Sequence, residues 1–315
     1  METENNVLKH KGHFGQLLIY LGKQFRMFVL QSDWKVLPMA AIIAGMVSMA
    51  VGKGLYVSME GTFQANFALT CVCIWNGFFN SIQSICRERP IIKREHRAGL
   101  HITSYVASHL VYQLFLCAMQ SAITMIVLGM TGIDFPEEGA IFTFIPDMFI
   151  TLLLITYTSD MMALMISAIV KTPMAAMTVM PFMLILQLVF AGFIQLPEKL
   201  ADVTKLMVSK WGVRGLCVIS DYNNLPAVVV WNKMVSSGDK IELGGGVSLK
   251  DVMTTIEENG MRDVILNKLG EANARADFAR TFDNLWDSWE AMIVFSVTYA
   301  IITVLFLEFI DKDTR

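Results

Sequence analysis

The stretch Ser104-Tyr-Val-Ala-Ser-His-Leu-Val-Tyr-Gln-Leu-Phe-Leu-Cys-Ala-Met-Gln-Ser-Ala-Ile-Thr-Met-Ile-Val-Leu-Gly-Met130 contains no Asp, Glu, Lys or Arg from end to end. Roughly 18 to 25 apolar residues cross a bilayer core as a helix, because each backbone polar group is then satisfied within its own segment. Comparable runs lie at about 36–52, 66–86, 146–170, 174–196 and 289–310, which with 104–130 predict six spans. Composition agrees: of 315 residues 54% are hydrophobic and only 17% charged, with a mean hydropathy of +0.51. A soluble chain of this length is rarely so apolar. The expected fold class is therefore all-α integral membrane.

Working outward from the spans, the short flanking segments set the orientation. Lys9, Lys11, Lys23, Arg26 and Lys35 precede the first span, and Arg87, Arg89, Lys93, Arg94 and Arg97 separate the second from the third. Lys171, Lys312 and Arg315 complete that face. The opposite face holds only Lys53 in its short connections, with Asp134, Glu137 and Glu138 in the 131–140 turn. The positive-inside rule predicts both termini in the cytoplasm, in the plasma or cell inner membrane, and places the long 197–288 segment outside. The charged lead before 36–51 does not resemble a cleavable signal peptide, and no secretory leader is expected. A net charge of −3 without a basic tract gives no reason to expect a nucleic-acid partner.

The chain divides into a cytoplasmic N-terminus at 1–35, spans one to five at 36–196, an extracytoplasmic lobe at 197–288, and the sixth span with a tail at 289–315. In the first segment Phe14, Leu17, Leu18, Leu21, Phe25, Phe28 and Val29 recur at helical spacing, with Gln16, Lys23, Gln24 and Arg26 between them. That pattern fits equally a helix lying in the membrane interface and one packed on protein. In the lobe, Ser248 with Asp251 forms a capping-box pattern and Gly260 a helix stop, so a mainly helical fold is expected there.

Sites for chemistry are scarce. Gly244-Gly245-Gly246 lacks the lysine of a phosphate loop, so ATP hydrolysis is not expected of this sequence. Cys71, Cys73, Cys86, Cys117 and Cys217, and His10, His13, His96, His101 and His109, show no metal-ligand spacing. No nucleophile–base pair stands out, so neither a catalytic nor a metal site is expected. Cys217, the one thiol outside the spans, reads as a buried free thiol or a bridge between two chains.

The most informative segment is Cys86-Arg-Glu-Arg-Pro-Ile-Ile-Lys-Arg-Glu-His-Arg-Ala-Gly99. By composition it is a solvated positive loop or a short helix that docks a partner. In order, Glu88-Arg89, Arg94-Glu95, Gly99 and Ser104-Tyr105 resemble the coupling loop of type-2 ABC exporter permeases, most closely the G subfamily with its White pigment, sterol and multidrug half-transporters. Phe190-Ala-Gly-Phe-Ile-Gln-Leu-Pro197, followed by Lys210-Trp-Gly-Val-Arg-Gly-Leu216, is similar to the end of the fifth span and the re-entrant segment of that family. The resemblance covers roughly 14–216 and the last span; 217–288 has no counterpart and lacks the cysteine pairs common in eukaryotic members.

The resemblance implies an ATP-driven exporter whose substrate is a lipid, peptide or hydrophobic small molecule. It implies a separate ATPase subunit that holds ATP and magnesium, a second permease chain, identical or different, and membrane lipid as partners; no cofactor is expected on this chain. It assigns ATPase coupling to Glu88, Arg89, Arg94, Glu95 and Gly99, and a hydrophobic plug to Gly192, Phe193 and Ile194. It also points to the second span, where Asn76, Asn80 and Gln83 form a polar stripe flanked by Trp75 and Phe79. That stripe reads either as a substrate pathway or as interhelical hydrogen bonding. Asp160 is an acid well inside a span. It is either a coupling acid or a structural hydrogen-bonding group, because an ionised acid at a helix centre costs about 2.5–3.5 kcal/mol. An ion-coupled secondary transporter using Asp160, and a membrane scaffold or enzyme with a binding lobe, are the competing functions.

Overall fold

A computed structural model describes residues 12–30, 33–51, 54–191, 202–238, 241–242 and 246–309. Its first helices are α1 (His13–Leu30), α2 (Val36–Val51), α3 (Met59–Ser81), α4 (Ser84–Arg97), α5 (Ile102–Met130), α6 (Phe144–Ile169) and α7 (Pro173–Val189). Then come α8 (Val208–Ile219), α9 (Val228–Ser237), α10 (Leu249–Glu258), α11 (Arg262–Asn273) and α12 (Phe282–Glu308). No strand forms among the described residues, only the isolated bridges Glu138–Thr143 and Glu242–Ser248.

Capping residues explain where the helices depart from the hydropathy pattern. Ser58 accepts a hydrogen bond from the Gly61 N–H at 3.2 Å, so α3 begins at Met59, ahead of the apolar run expected from residue 66. Thr281 caps α12 by accepting from the Asn284 N–H at 3.3 Å, which starts that helix at Phe282 instead of 289. The second run, expected to continue to 86, breaks after Ser81, and the Arg-rich segment forms a helix of its own. In the lobe, Ser248 and Asp251 complete the capping box, and Gly260 takes φ 68°, which suits a residue without a side chain.

Among the described residues three helices, α5, α6 and α12, are long and apolar enough to cross a membrane. Helices α2 and α7 are apolar but have 16 and 17 residues, or about 24–26 Å at 1.5 Å per residue. Helix α3 has 23 residues and carries Glu60, Gln64, Asn66, Asn76 and Asn80, which lower its hydropathy.

Helix α6 sits at the centre, with 67% of its most apolar window buried against 22% for α12. It packs on α3, α5, α8 and α12 around Leu152, Ile155, Leu216, Leu285 and Trp289. The α3–α6 contact is close because residue 77 is glycine: a Cβ there would fall on the Thr156 carbonyl oxygen and 2.8 Å from the Asp160 nitrogen. Gly212 likewise lets α8 press between Thr70 and Ile155, where an added Cβ would lie 2.9–3.0 Å from their side chains. Helices α9, α10 and α11 enclose a separate small core of Trp231, Met253 and Leu266.

Candidate functional site

Helix α4 is held at both ends and along one face. Gln83 supplies no side-chain cap, but Ser167 of α6 accepts from the Ile85 and Cys86 N–H groups, each at 3.1 Å. These are orphan donors of the first turn, so the side chain of one helix caps another. At the other end Gly99 adopts φ 101°, and Gln16 of α1 clamps the turn into α5. Its Nε2 donates to the Gly99 carbonyl at 3.1 Å, and its Oε1 accepts from the His101 N–H at 2.9 Å.

Along the inner face, Glu88 pairs with Lys23 of α1 at 3.0 Å and accepts from the Tyr105 hydroxyl at 3.2 Å. Glu95 accepts from the Tyr20 hydroxyl at 2.6 Å. Burial and that bond hold the Tyr20 phenol above its ordinary range, so it remains a donor at physiological pH. Arg89 donates to the Ala168 and Val170 carbonyls at 2.8 and 3.2 Å, at the C-terminal end of α6, where a cation also complements the helix dipole. The exposed side of α4 presents Arg87, Pro90, Ile91, Arg94 and Arg97. Of the residues the resemblance assigns to coupling, Arg94 and Gly99 therefore lie outward, while Glu88, Arg89 and Glu95 tether the helix to α1, α5 and α6.

Helix α1 turns its polar side inward. Gln16, Tyr20, Lys23 and Gln24, at three- to four-residue spacing, all bond to α4, α5 or the turn between them. Phe14, Leu18, Ile19, Val29 and Leu30 are exposed. The helix is thus packed on protein through these polar groups and through Phe25 and Phe28, whose rings meet Tyr112 of α5, and it also presents apolar residues outward.

A second polar cluster lies between α3, α5 and α6. Asn80 and Gln120 form a reciprocal amide pair at 2.9 and 3.0 Å. Asp160 Oδ2 accepts from the Cys117 thiol at 3.3 Å and from Asn80 Nδ2 at 3.5 Å. Gln113 donates to Ser81 at 2.7 Å on the same α3–α5 seam. Asn76 is buried, whereas Trp75 and Phe79 are exposed, with their rings tilted against one another at 5.5 Å. Gln83, in the α3–α4 break, is half-buried. The stripe is therefore split: its amides point into the bundle and its aromatic rings point out. Gly192, Phe193 and Ile194 lie outside the described residues, as do Lys9, Lys11, His10, Lys53, Gly244, Gly245, Lys312 and Arg315.

No metal-binding group of His, Cys, Asp or Glu occurs among the described residues. All five cysteines are free, and Cys217 is buried, accepting from Asn66 Nδ2 at 3.6 Å. The sequence reading missed Ser167, Tyr20 and Gln120, since nothing in the local pattern marks a lone hydroxyl or amide as the partner of a distant helix. It also missed Asp147, whose buried carboxylate accepts from the Ala140, Ile141 and Phe142 N–H groups and closes the turn before α6.

The sequence model of the family described as ABC-2 type transporter matches residues 16–219, which take in α1 from Gln16, all of α4, and run to the end of α8. An ABC transporter ATP-binding/permease protein of Mycobacterium tuberculosis is 26% identical over 194 residues, covering 58% of this chain. The match spans only 22% of that relative's length.

Proposed function

We propose that this chain, which belongs to the ABC-2 type transporter family and is a multi-pass transmembrane ABC permease, supplies the pathway of an ATP-driven exporter and docks a separate ATPase through α4. The observation that carries the reading is the two-sidedness of α4 inside the family-matched region. Three of its charged side chains, Glu88, Arg89 and Glu95, are committed to α1, α5 and the end of α6, and the opposite side offers Arg87, Ile91 and Arg94 to solvent. A helix held rigidly on one side and presenting cations with an apolar residue on the other suits an acidic, partly apolar groove on a partner.

In this reading α2, α3, α5, α6, α7 and α12 are the six spans, both termini are cytoplasmic in the cell inner membrane, and α9–α11 lie outside. ATP and magnesium sit on the partner, since Gly244-Gly245-Gly246 has no phosphate-loop lysine. The mycobacterial relative, named for both ATP-binding and permease functions, supports the pairing of the two activities. A second permease chain completes the pathway, the loop pattern favours the G subfamily, and the cargo is a lipid, peptide or hydrophobic small molecule. The interhelical bonds of Asp160 support a packing role over ion coupling.

The test is co-purification from the native host with a tagged chain. The wild type brings down a phosphate-loop ATPase, and the reconstituted pair shows cargo-stimulated hydrolysis. Arg87→Glu with Arg94→Glu lowers ATPase recovery about tenfold or more, the scale of reversing charges across an interface, while membrane insertion is unchanged. Recovery of no ATPase by the wild type, or undiminished recovery by the reversed pair, rejects the docking assignment.

A further inference from the structure

Four buried side-chain atoms without a hydrogen-bond partner in the chain belong to residues lining one cavity: Gln24 Oε1, both ring nitrogens of His109, and Gln113 Oε1. Buried polar atoms are normally paired, so unpaired atoms on three residues around one space call for an explanation. The Gln24 orientation follows from its partner. The Ser108 hydroxyl donates to the Tyr105 carbonyl at 2.6 Å, so its oxygen accepts from Gln24 Nε2 at 3.2 Å and the Gln24 carbonyl oxygen is left over. The cavity measures about 260 Å³ and lies at the α4 end of the bundle, where Arg87 and Glu88 also line it.

An apolar trough of about 180 Å³ adjoins it and shares Val36 and Phe79 as lining. Val36, Met39 and Ile43 follow one another at helical spacing on one side of α2, so the trough runs about 10 Å along the span, away from the α4 end. A polar chamber at the end of the bundle, continued by an apolar groove toward the bundle middle, has the polarity profile of a lipid standing in one leaflet.

We propose that this chain binds a single-chain amphiphile with an uncharged, hydroxyl-bearing head, the head among Gln24, His109 and Gln113 and the tail along Met39, Ile43 and Phe79. A hydroxyl both donates and accepts, which satisfies two amide oxygens and an imidazole that offers one donor and one acceptor. An anionic head would be drawn to Arg87 and Lys35 but has no proton to give the two amide oxygens. A cationic head would satisfy those oxygens but has no acceptor for the ring N–H of His109 and would stand beside Arg87. Asn76, Phe79, Asn80 and Gln83 of the expected pathway line this site, so the inference rests on that reading of the cargo, while its binding test needs no ATPase partner.

The test uses the full chain in lipid nanodiscs and a monoacylglycerol carrying a diazirine on its acyl chain, with mass spectrometry locating the adducts. Adducts on the α2 residues 36–43 and on α3 near Phe79, competed by unlabelled monoacylglycerol, are the expected result. A headless alkyl diazirine of equal chain length labels those positions about tenfold less, the scale set by one or two lost hydrogen bonds. His109→Leu with Gln113→Leu lowers the monoacylglycerol signal by a similar factor. Ile43→Trp, which fills the trough and leaves the polar chamber intact, lowers it too, so the proposal remains testable if the double variant does not fold. Equal labelling by the headless probe, absence of labelling at these positions, or wild-type labelling of the Ile43→Trp chain overturns it.

Discussion

At the α4 end, Glu88 meets a full cation, Lys23 at 3.0 Å, whereas Asp160 in the middle of the bundle meets only neutral groups, Cys117 at 3.3 Å and Asn80 at 3.5 Å. The difference follows from water. Near the end of the spans, partly hydrated charges pair with charges, and the side chains of Lys23 and Glu88 retain 36% and 14% of their exposure. Inside the bundle, where Asp160 is fully buried, amide, thiol and hydroxyl groups carry the contacts and close helix approach makes them possible. The first cluster anchors α4 to α1, α5 and α6. The second is built into the packing of α3 against α6.

The comparison breaks first at Gly77. Gly77→Val drives a side chain into the α6 backbone, and we expect a loss of about 3 kcal/mol or more of stability in detergent unfolding titrations, the upper range for overpacking. The Asn80–Gln120–Asp160 bonds go with it. Glu88→Ala comes next, at about 1–3 kcal/mol, because it leaves Tyr105 without its acceptor and Lys23 without its counter-charge. Part of that loss depends on salt, so the gap between wild type and variant should narrow in thermal melts at high ionic strength.

Ser167→Ala uncovers two N–H donors at the start of α4 and costs about 1 kcal/mol. Its clearest readout is faster hydrogen exchange at Ile85 and Cys86. The smallest change is expected from Asp160→Asn. The amide matches the carboxyl in shape and still accepts from Cys117, so stability shifts by less than about 1 kcal/mol and reconstituted ATPase activity stays near wild type. Loss of transport with intact folding in that variant would instead revive an ion-coupled mechanism.

Much of the helical framework is legible along the chain. The uncharged 104–130 run reappears as α5, and Ser248 with Asp251 caps α10, since both depend on neighbours a few residues apart. The limits of α3 and α12 were harder to read. Ser58 and Thr281 extend these helices through polar residues that a hydropathy window counts against a span. The density and order of charges in 86–99 single that segment out, but type and spacing alone do not tell Glu88, Arg89 and Glu95, which bond within the bundle, from Arg87 and Arg94, which are exposed.

What the sequence determines by itself is that apolar helices dominate this chain and that one dense charged segment interrupts them, because hydropathy and capping act over one or two turns. Which side of that segment is spoken for was decided only in three dimensions. Tyr20 reaches Glu95 across 75 positions and Arg89 reaches Ala168 across 79. Periodicity says which residues share a helix face, but only the packed bundle brings a distant helix against that face and leaves the other side exposed.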